Sequence, residues 1–435
     1  MPVRILATAD IHIGRRPTRL PTVDLAERAS AAHMWEEIVL RAITEKVDAV
    51  MLSGDIVDHD SRFYEATGPL ERGIYRLADA GIPSYAVAGN HDWDVFPRIL
   101  EQLDTPLFHF LGQGGSWEES VLERDGEQLL RIVGWSFPTR HVRQSPLLDF
   151  HLDSDSDVPT IGLLHANVDI PTSEYAPVGL SELQARDVAL WVLGHVHKPQ
   201  HWVSESGADV LYPGSPQALS PKEPGQHGPW LIELEGKHSV NCQQIPMSLV
   251  RYDEYDVDLE EATTSEDFDA AVNNTISQAL ENVVGRDEPT KLLSLRMNFV
   301  GSTPLCGKIA SLAEGLGDLE RSRDGVESQI EEHTNRTRPA IDLAELADRN
   351  DPAGVLARTL LALEQDEPDE TLATLISEAT ARLQEVHRAP AFAALIDRDP
   401  APDRDRSQQI LIEQGRQLLE ALRAQLPQRQ ESSDE

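Results

Sequence analysis

Five short apolar runs, each breaking off into turn residues and side chains suited to metals, constrain this chain more than any other feature of its sequence. Residues 3–8 (Val-Arg-Ile-Leu-Ala-Thr) stop just before Asp10-Ile11-His12. Residues 48–53 stop at Gly54-Asp55, and residues 84–88 at Gly89-Asn90-His91-Asp92. Residues 159–164 end on His165, and 188–193 run into Gly194-His195-Val196-His197. Short apolar runs closed by turn signals read as buried strands. Helical patterns separate the first three. Leu25, Ala29, Trp35, Ile38, Val39 and Ile43 recur at helical spacing over 23–45, and another helix is expected over 69–80. Strands alternating with helices predict an α/β fold, a largely parallel sheet with helices on its faces. Ligands of such sheets bind at the carboxyl ends of the strands, where these polar clusters fall.

Carboxylate, imidazole and amide oxygens suit divalent manganese, iron or zinc. Asp10, His12, Asp55, Asn90, His165, His195 and His197 make seven donors on five strand ends. That is too many for one tetrahedral ion and fits two ions sharing a bridge. Asp55, a single carboxylate directly after a glycine, is the natural bridge. Two-metal phosphoryl-transfer sites place their ions ~3.5–4 Å apart.

The ordered set D-x-H, GD, GNHD, H and GHxH resembles the signature of calcineurin-like metallophosphoesterases over roughly residues 1–245. The resemblance implies a four-layer β-sandwich flanked by helices, with a smaller α/β capping domain and C-terminal helices. It implies that Asp10, His12, Asp55 and His197 hold one metal, and that Asp55, Asn90, His165 and His195 hold the other. His91 would stand over the scissile phosphate, with Asp92 orienting it. Ala9-Asp10-Ile11-His12-Ile13-Gly14 is similar to the opening of the SbcD/Mre11 DNA-exonuclease branch, and Leu293–Gly301 to the strand that begins its capping domain. By that resemblance the chain is a manganese-dependent DNA exonuclease/endonuclease of double-strand break repair. It would work as a homodimer with a Rad50/SbcC-like coiled-coil ATPase. The alternative is a stand-alone phosphoesterase acting on a small nucleotide or a phosphoprotein. Several members of the branch carry a histidine three residues after the bridging aspartate; here Asp58 stands there, with His59 next.

A DNA substrate has to be reconciled with charge. Lys+Arg total 38 against 74 Asp+Glu, a formal net charge of −36, which excludes a generally basic nucleic-acid binder. Six of the cations are lysine and 32 arginine. Such a surface either avoids polyanions or serves in high salt, where the Debye length falls to ~3 Å at 1 M; the second reading is preferred. Arginine forks onto phosphate oxygens. Arg15 and Arg16, beside the first motif, and Arg140 and Arg143, within an acid-free stretch, are candidate DNA contacts, with His59 as a further one.

The rest of the chain divides by composition. Residues 112–128 and 151–158 read as polar loops, and 208–214, 229–234 and 238–244 as short strands of a second sheet. The expected domains are the metallophosphoesterase core at 1–250, a capping domain at 251–330, a helical region at 331–400, and an amphipathic helix and tail at 401–435. From 304 onward the pattern reads as helical. Leu411, Leu418, Leu422 and Leu426 form a stripe that serves either docking on the ATPase or packing within the chain. Two cysteines, Cys242 and Cys306, give no disulfide framework or metal knuckle. No apolar run reaches membrane-spanning length, and the N-terminal run is too short for a signal peptide, so a cytoplasmic location without membrane contact is expected.

Overall fold

The computed structural model describes residues 2–58, 63–101, 103–152, 157–237, 239–284, 289–319, 321–365, 369–387 and 402–425. His59 lies outside them. The described residues fold as two compact units. One takes in the chain up to Val257 with Asp269–Phe299 and Ala313–Thr334; the other comprises Asp258–Phe268, Val300–Leu312 and the residues from Asn335 on.

The first unit is built on two six-stranded sheets. In spatial order the first contains Ser239–Gln244, Trp230–Glu235, Val3–Thr8, Ala49–Ser53, Ser84–Val87 and Phe108–Phe110. The second contains Gln200–Trp202, Asp209–Tyr212, Leu190–Gly194, Thr160–His165, Glu127–Trp135 and Glu118–Arg124. The central strands of each run parallel; antiparallel strands close both edges of the second sheet and one edge of the first, whose other edge, Phe108–Phe110, is parallel.

Strand periodicity sets the layers, because successive side chains point to opposite faces. Ile5 and Ala7 join Ile132, Leu163 and Val192 in the core between the sheets. Leu6, on the other face, packs with Trp35, Ile38 and Ile74 of the covering helices. In the second sheet Trp191 and Leu193 turn outward onto Phe150 and Leu183. The order is therefore helix, sheet, sheet, helix, the four-layer α/β sandwich implied by the sequence. Trp35 and Trp191 are fully buried, and truncating such a residue to alanine costs about 3–5 kcal/mol.

Several expectations need correction. The helix expected over 23–45 is two helices, Val23–Arg28 and Ala31–Glu45. Ser30 starts the second by accepting the His33 N–H on its hydroxyl at 3.3 Å, a cap that competes with helix continuation. The helix expected over 69–80 begins earlier, as Phe63–Asp79, and takes Pro69 within its first two turns. Glu118–Arg124 is a strand inside the stretch read as a loop; it pairs with Glu127–Trp135 through a tight turn at Asp125 and Gly126. The strands Trp230–Glu235 and Ser239–Gln244 form a hairpin that extends the first sheet beside Val3–Thr8, while Asp209–Tyr212 belongs to the second.

A four-stranded sheet follows in the order Val250–Asp258, Leu292–Val300, Val326–Asn335, Arg321–Arg323. The last two strands correct the all-helical reading beyond 304. Val326, Ser328 and Ile330 alternate as its buried face, a period-two signal within a polar sequence. In the acidic run, Val257 is buried while Glu254, Asp256 and Asp258 stay exposed, as strand alternation requires.

In the second unit, helices Leu343–Ala347, Pro352–Leu363, Glu370–His387 and Arg404–Gln425 pack together. The last helix buries Leu419 and sets Leu411 and Ile412 against neighbouring helices, with Gln408 Nε2 donating to Leu363 O at 2.7 Å. Leu418, assigned to the apolar stripe from sequence, is 54% exposed. Among the described residues, no helix is long and apolar enough to cross a membrane.

Candidate metal centre

All seven proposed donors come together where the five strands end. Donor atoms of Asp10, His12 and His197 lie within 4.8 Å of one another, as do those of Asp10, Asp55 and His165. Asp10, His12, Asp55 and His165 form a buried floor, and His91, His195 and His197 form a half-buried rim. Asp55 Oδ2 is 3.4 Å from His165 Nε2 and 4.0 Å from His12 Nε2, so one oxygen reaches both halves of the cluster. Asn90 Oδ1 lies 3.0 Å from His165 Nε2 and 3.2 Å from His195 Nδ1.

The backbone is bent to make this possible. Asp10, His12, Asp55 and His195 all have positive φ, at 50°, 52°, 51° and 100°. Such backbone costs on the order of 1–3 kcal/mol per residue and concentrates at functional sites. Flanking glycines allow the crowding. A Cβ at Gly89 would overlap Asp55 Oδ1, one at Gly194 would overlap Ser53 O, and one at Gly54 would sit 2.6 Å from His165 Nδ1.

The donor set fits divalent cations. His165 Nδ1 donates to Ser53 O at 3.1 Å, which turns Nε2 towards two oxygens, those of Asn90 and Asp55. His197 Nδ1 is 3.1 Å from Glu223 Oε1, which leaves its Nε2 facing His12 Nε2 at 3.2 Å. Ligating atoms converging this closely in a buried pocket need positive charge among them, either protons on the imidazoles or bound cations. The charges show the same tension. Burial raises the Asp10 carboxyl, and it lowers the His12 imidazolium. Burial works to raise Asp55 too, but His165 outweighs it and holds the carboxyl below its ordinary range. Against burial, Asp55 drives His165 up to about 9. Burial, then His165, pushes His195 down to about 3.

Asp92 does a different job from the one expected. Its fully buried carboxylate accepts the backbone N–H groups of Gly89 at 2.7 Å, Ile56 at 2.7 Å and Val57 at 3.3 Å. Burial and then Asp55 raise it to about 7. The carboxylate facing His91 is Asp58, with Oδ1 3.5 Å from Nδ1. The same oxygen is 3.7 Å from His12 Nδ1 and 2.8 Å from Arg15 Nη2. The nearby Asp58 carboxylate raises the His91 imidazole above its ordinary value. Asp58 was legible only as a departure from a motif, and Glu223 carried no local signal, lying on a turn after the last motif.

The candidate DNA cations divide. Arg15 pairs with Asp58, and Arg143 with Glu174. Arg16 and Arg140 are exposed. Arg131, in the same acid-free stretch, is buried and forks onto Glu119 at 2.9 and 2.8 Å, a role within the sheet.

The family model for the calcineurin-like phosphoesterases matches residues 3–199, and this part of the chain is a calcineurin-like metallophosphoesterase domain. Its relatives include a protein described as an uncharacterized metallophosphoesterase, YhaO of Bacillus subtilis, 29% identical over 47% of this chain and 49% of that protein. The DNA double-strand break repair protein Mre11 of Aeropyrum pernix is 24% identical over 54% of this chain and 58% of its own length. The Mre11 of Sulfolobus acidocaldarius is 22% identical over 70% of this chain and 76% of its own. The chain thus spans only 49% and 58% of the first two relatives.

Proposed function

We propose that the protein is a DNA phosphodiesterase of the SbcD/Mre11 type, active with two Mn²⁺ ions in double-strand break repair. It acts as a cytoplasmic homodimer beside a Rad50/SbcC-like coiled-coil ATPase. The observation carrying this reading is the paired cluster in which Asp55 Oδ2 reaches both His12 and His165. The relatives named DNA double-strand break repair protein Mre11 support the DNA substrate. Asp10, His12, Asp55 and His197 would hold one ion; Asp55, Asn90, His165 and His195 would hold the other. Bound there, the ions would supply a water acidified to near neutral pKa and neutralise phosphate charge.

The chain's own residues do the remaining work. Asp10 and Asp55 contribute buried negative charge that favours divalent cations. Asp58 takes the Nδ1 side of His91, so Nε2 is the nitrogen left to donate to a leaving oxygen. Asp92 fixes the loops after the second and third strands, and the exposed Arg16 and Arg140 meet backbone phosphates. The test is incubation with Mn²⁺ and end-labelled duplex and single-stranded DNA, beside Asp55→Ala. Cleavage lost in the variant is the expected result; no cleavage of either DNA overturns the reading.

One observation favours a stand-alone phosphoesterase on a small nucleotide or phosphoprotein: Arg15 and Arg143 are already engaged by carboxylates. Turnover of bis(p-nitrophenyl) phosphate without DNA cleavage would select it.

A further inference from the structure

The segment after the last metal motif turns back on it. Ser215 N donates to His197 O at 3.0 Å, and Gly214, at φ +73°, leaves no room for a Cβ beside that carbonyl. Eight residues on, Glu223 is 7% exposed. Its Oε1 lies 3.1 Å from His197 Nδ1, while Oε2 accepts the Ser215 hydroxyl at 2.7 Å and the Leu219 N–H at 3.0 Å. The buried His227 ring ties the turn together, 2.7 Å from Ser215 O and 3.1 Å from Glu223 O. Gly225 N in turn donates to Tyr252 O at 2.9 Å. A carboxylate held this firmly against the outer nitrogen of an imidazole dictates which nitrogen keeps the proton and where the ring points.

We propose that Glu223 is the positioning residue of one of the two cation sites: it holds the His197 Nδ1–H and so presents Nε2, 3.2 Å from His12 Nε2, to the ion shared by those two rings. This rests on the two-cation reading above. It assigns a function to a residue outside every motif, and it makes the two sites unequal. Glu223 serves the Asp10, His12 and His197 side, whereas His165 on the other side is held by the Ser53 carbonyl. Loss of such an outer partner typically weakens metal affinity 10–100-fold.

The experiment is calorimetric titration of the full chain with Mn²⁺, with electron paramagnetic resonance of the loaded protein, for wild type and Glu223→Gln. Glutamine keeps the size and removes the charge. The expected result is one Mn²⁺ at wild-type affinity and one bound 10–100-fold more weakly, with an exchange-coupled pair signal in wild type replaced by an isolated-ion signal at the same Mn²⁺ concentration. In a His197→Asn background, Glu223→Gln should change nothing further. Should Glu223→Gln lose the wild-type circular dichroism, Glu223→Asp, which keeps the charge and withdraws it by one methylene, carries the same expectation. Two sites at wild-type affinity, or equal weakening of both, overturns the proposal. Failure of the wild-type chain to bind Mn²⁺ would instead overturn the two-cation reading itself.

Discussion

Asp92 Oδ2 accepts the Ile56 backbone N–H at 2.7 Å, and through that bond one buried carboxylate staples the loop after the second strand to the loop after the third. Its other oxygen accepts Gly89 N–H at 2.7 Å. Each amide stranded without a partner costs about 1–3 kcal/mol. Asp92→Ala is therefore expected to lose about 2–4 kcal/mol of stability in urea unfolding of the metal-free protein. Unchanged stability with lost phosphodiesterase activity would return Asp92 to the role of orienting His91.

Asp58 predicts a pH effect. Its carboxylate, 3.5 Å from Nδ1, raises the His91 imidazole, so His91 stays protonated to higher pH than an unpartnered histidine. Removing it in Asp58→Asn lowers that value, and the alkaline limb of kcat/KM should move to lower pH. His91→Asn should cost about 100- to 10,000-fold in kcat, the usual worth of a positioned acid. The profile is read with bis(p-nitrophenyl) phosphate at saturating Mn²⁺, with bound metal measured in parallel. An alkaline limb unmoved in Asp58→Asn would sever the link.

Glycines give a contrast of location. Gly89→Ala drives a methyl into Asp55 Oδ1, whereas Gly307→Ala meets open space at ordinary φ. The first should abolish turnover and lower the melting temperature; the second should leave both near wild type. Equal behaviour of the two variants would contradict the crowding described at the site.

Stability against pH should carry the Glu223–His197 pair. Burial works to raise the Glu223 carboxyl, but His197, the Leu219 N–H and Ser215 outweigh it and hold it at about 2, against an ordinary 4.5. A depressed carboxyl stabilises the fold above its unfolded value and loses that contribution as pH falls towards 2. His197, raised by Glu223 in spite of burial, contributes fully below its ordinary 6.5 and less as pH rises beyond its folded value. The stability difference between wild type and Glu223→Gln, measured by urea unfolding with chelator present, should peak between about 4.5 and 6.5. A difference flat from pH 3 to 8 would show that charge is not what joins the two side chains.

Burial pushes the Cys242 thiol up to about 12. Iodoacetamide at pH 8 should therefore label Cys242 far more slowly in the native chain than in urea, as peptide mass spectrometry would show. Equal rates would mean that the hairpin Trp230–Glu235 and Ser239–Gln244 opens readily.

The sequence alone determined the five site strands, the alternation that makes the first three of them parallel, and the residues at the strand ends, because each rests on short-range chemistry: a run of apolar side chains, a glycine, then a donor. The break between Arg28 and Ala31 and the strand Glu118–Arg124 depended on a serine cap and a two-residue turn, signals too small to outweigh periodicity and polarity around them. Only the tertiary structure decided which carboxylate serves which histidine. Asp92 adjoins His91 in the chain yet turns under the loops, while Asp58, from another strand's loop, faces the ring. Glu223 reaches His197 across a turn of twenty-five intervening residues. A hydrogen bond depends on where two atoms end up in space, and for groups brought together by sheet packing that position is not written in the spacing between them.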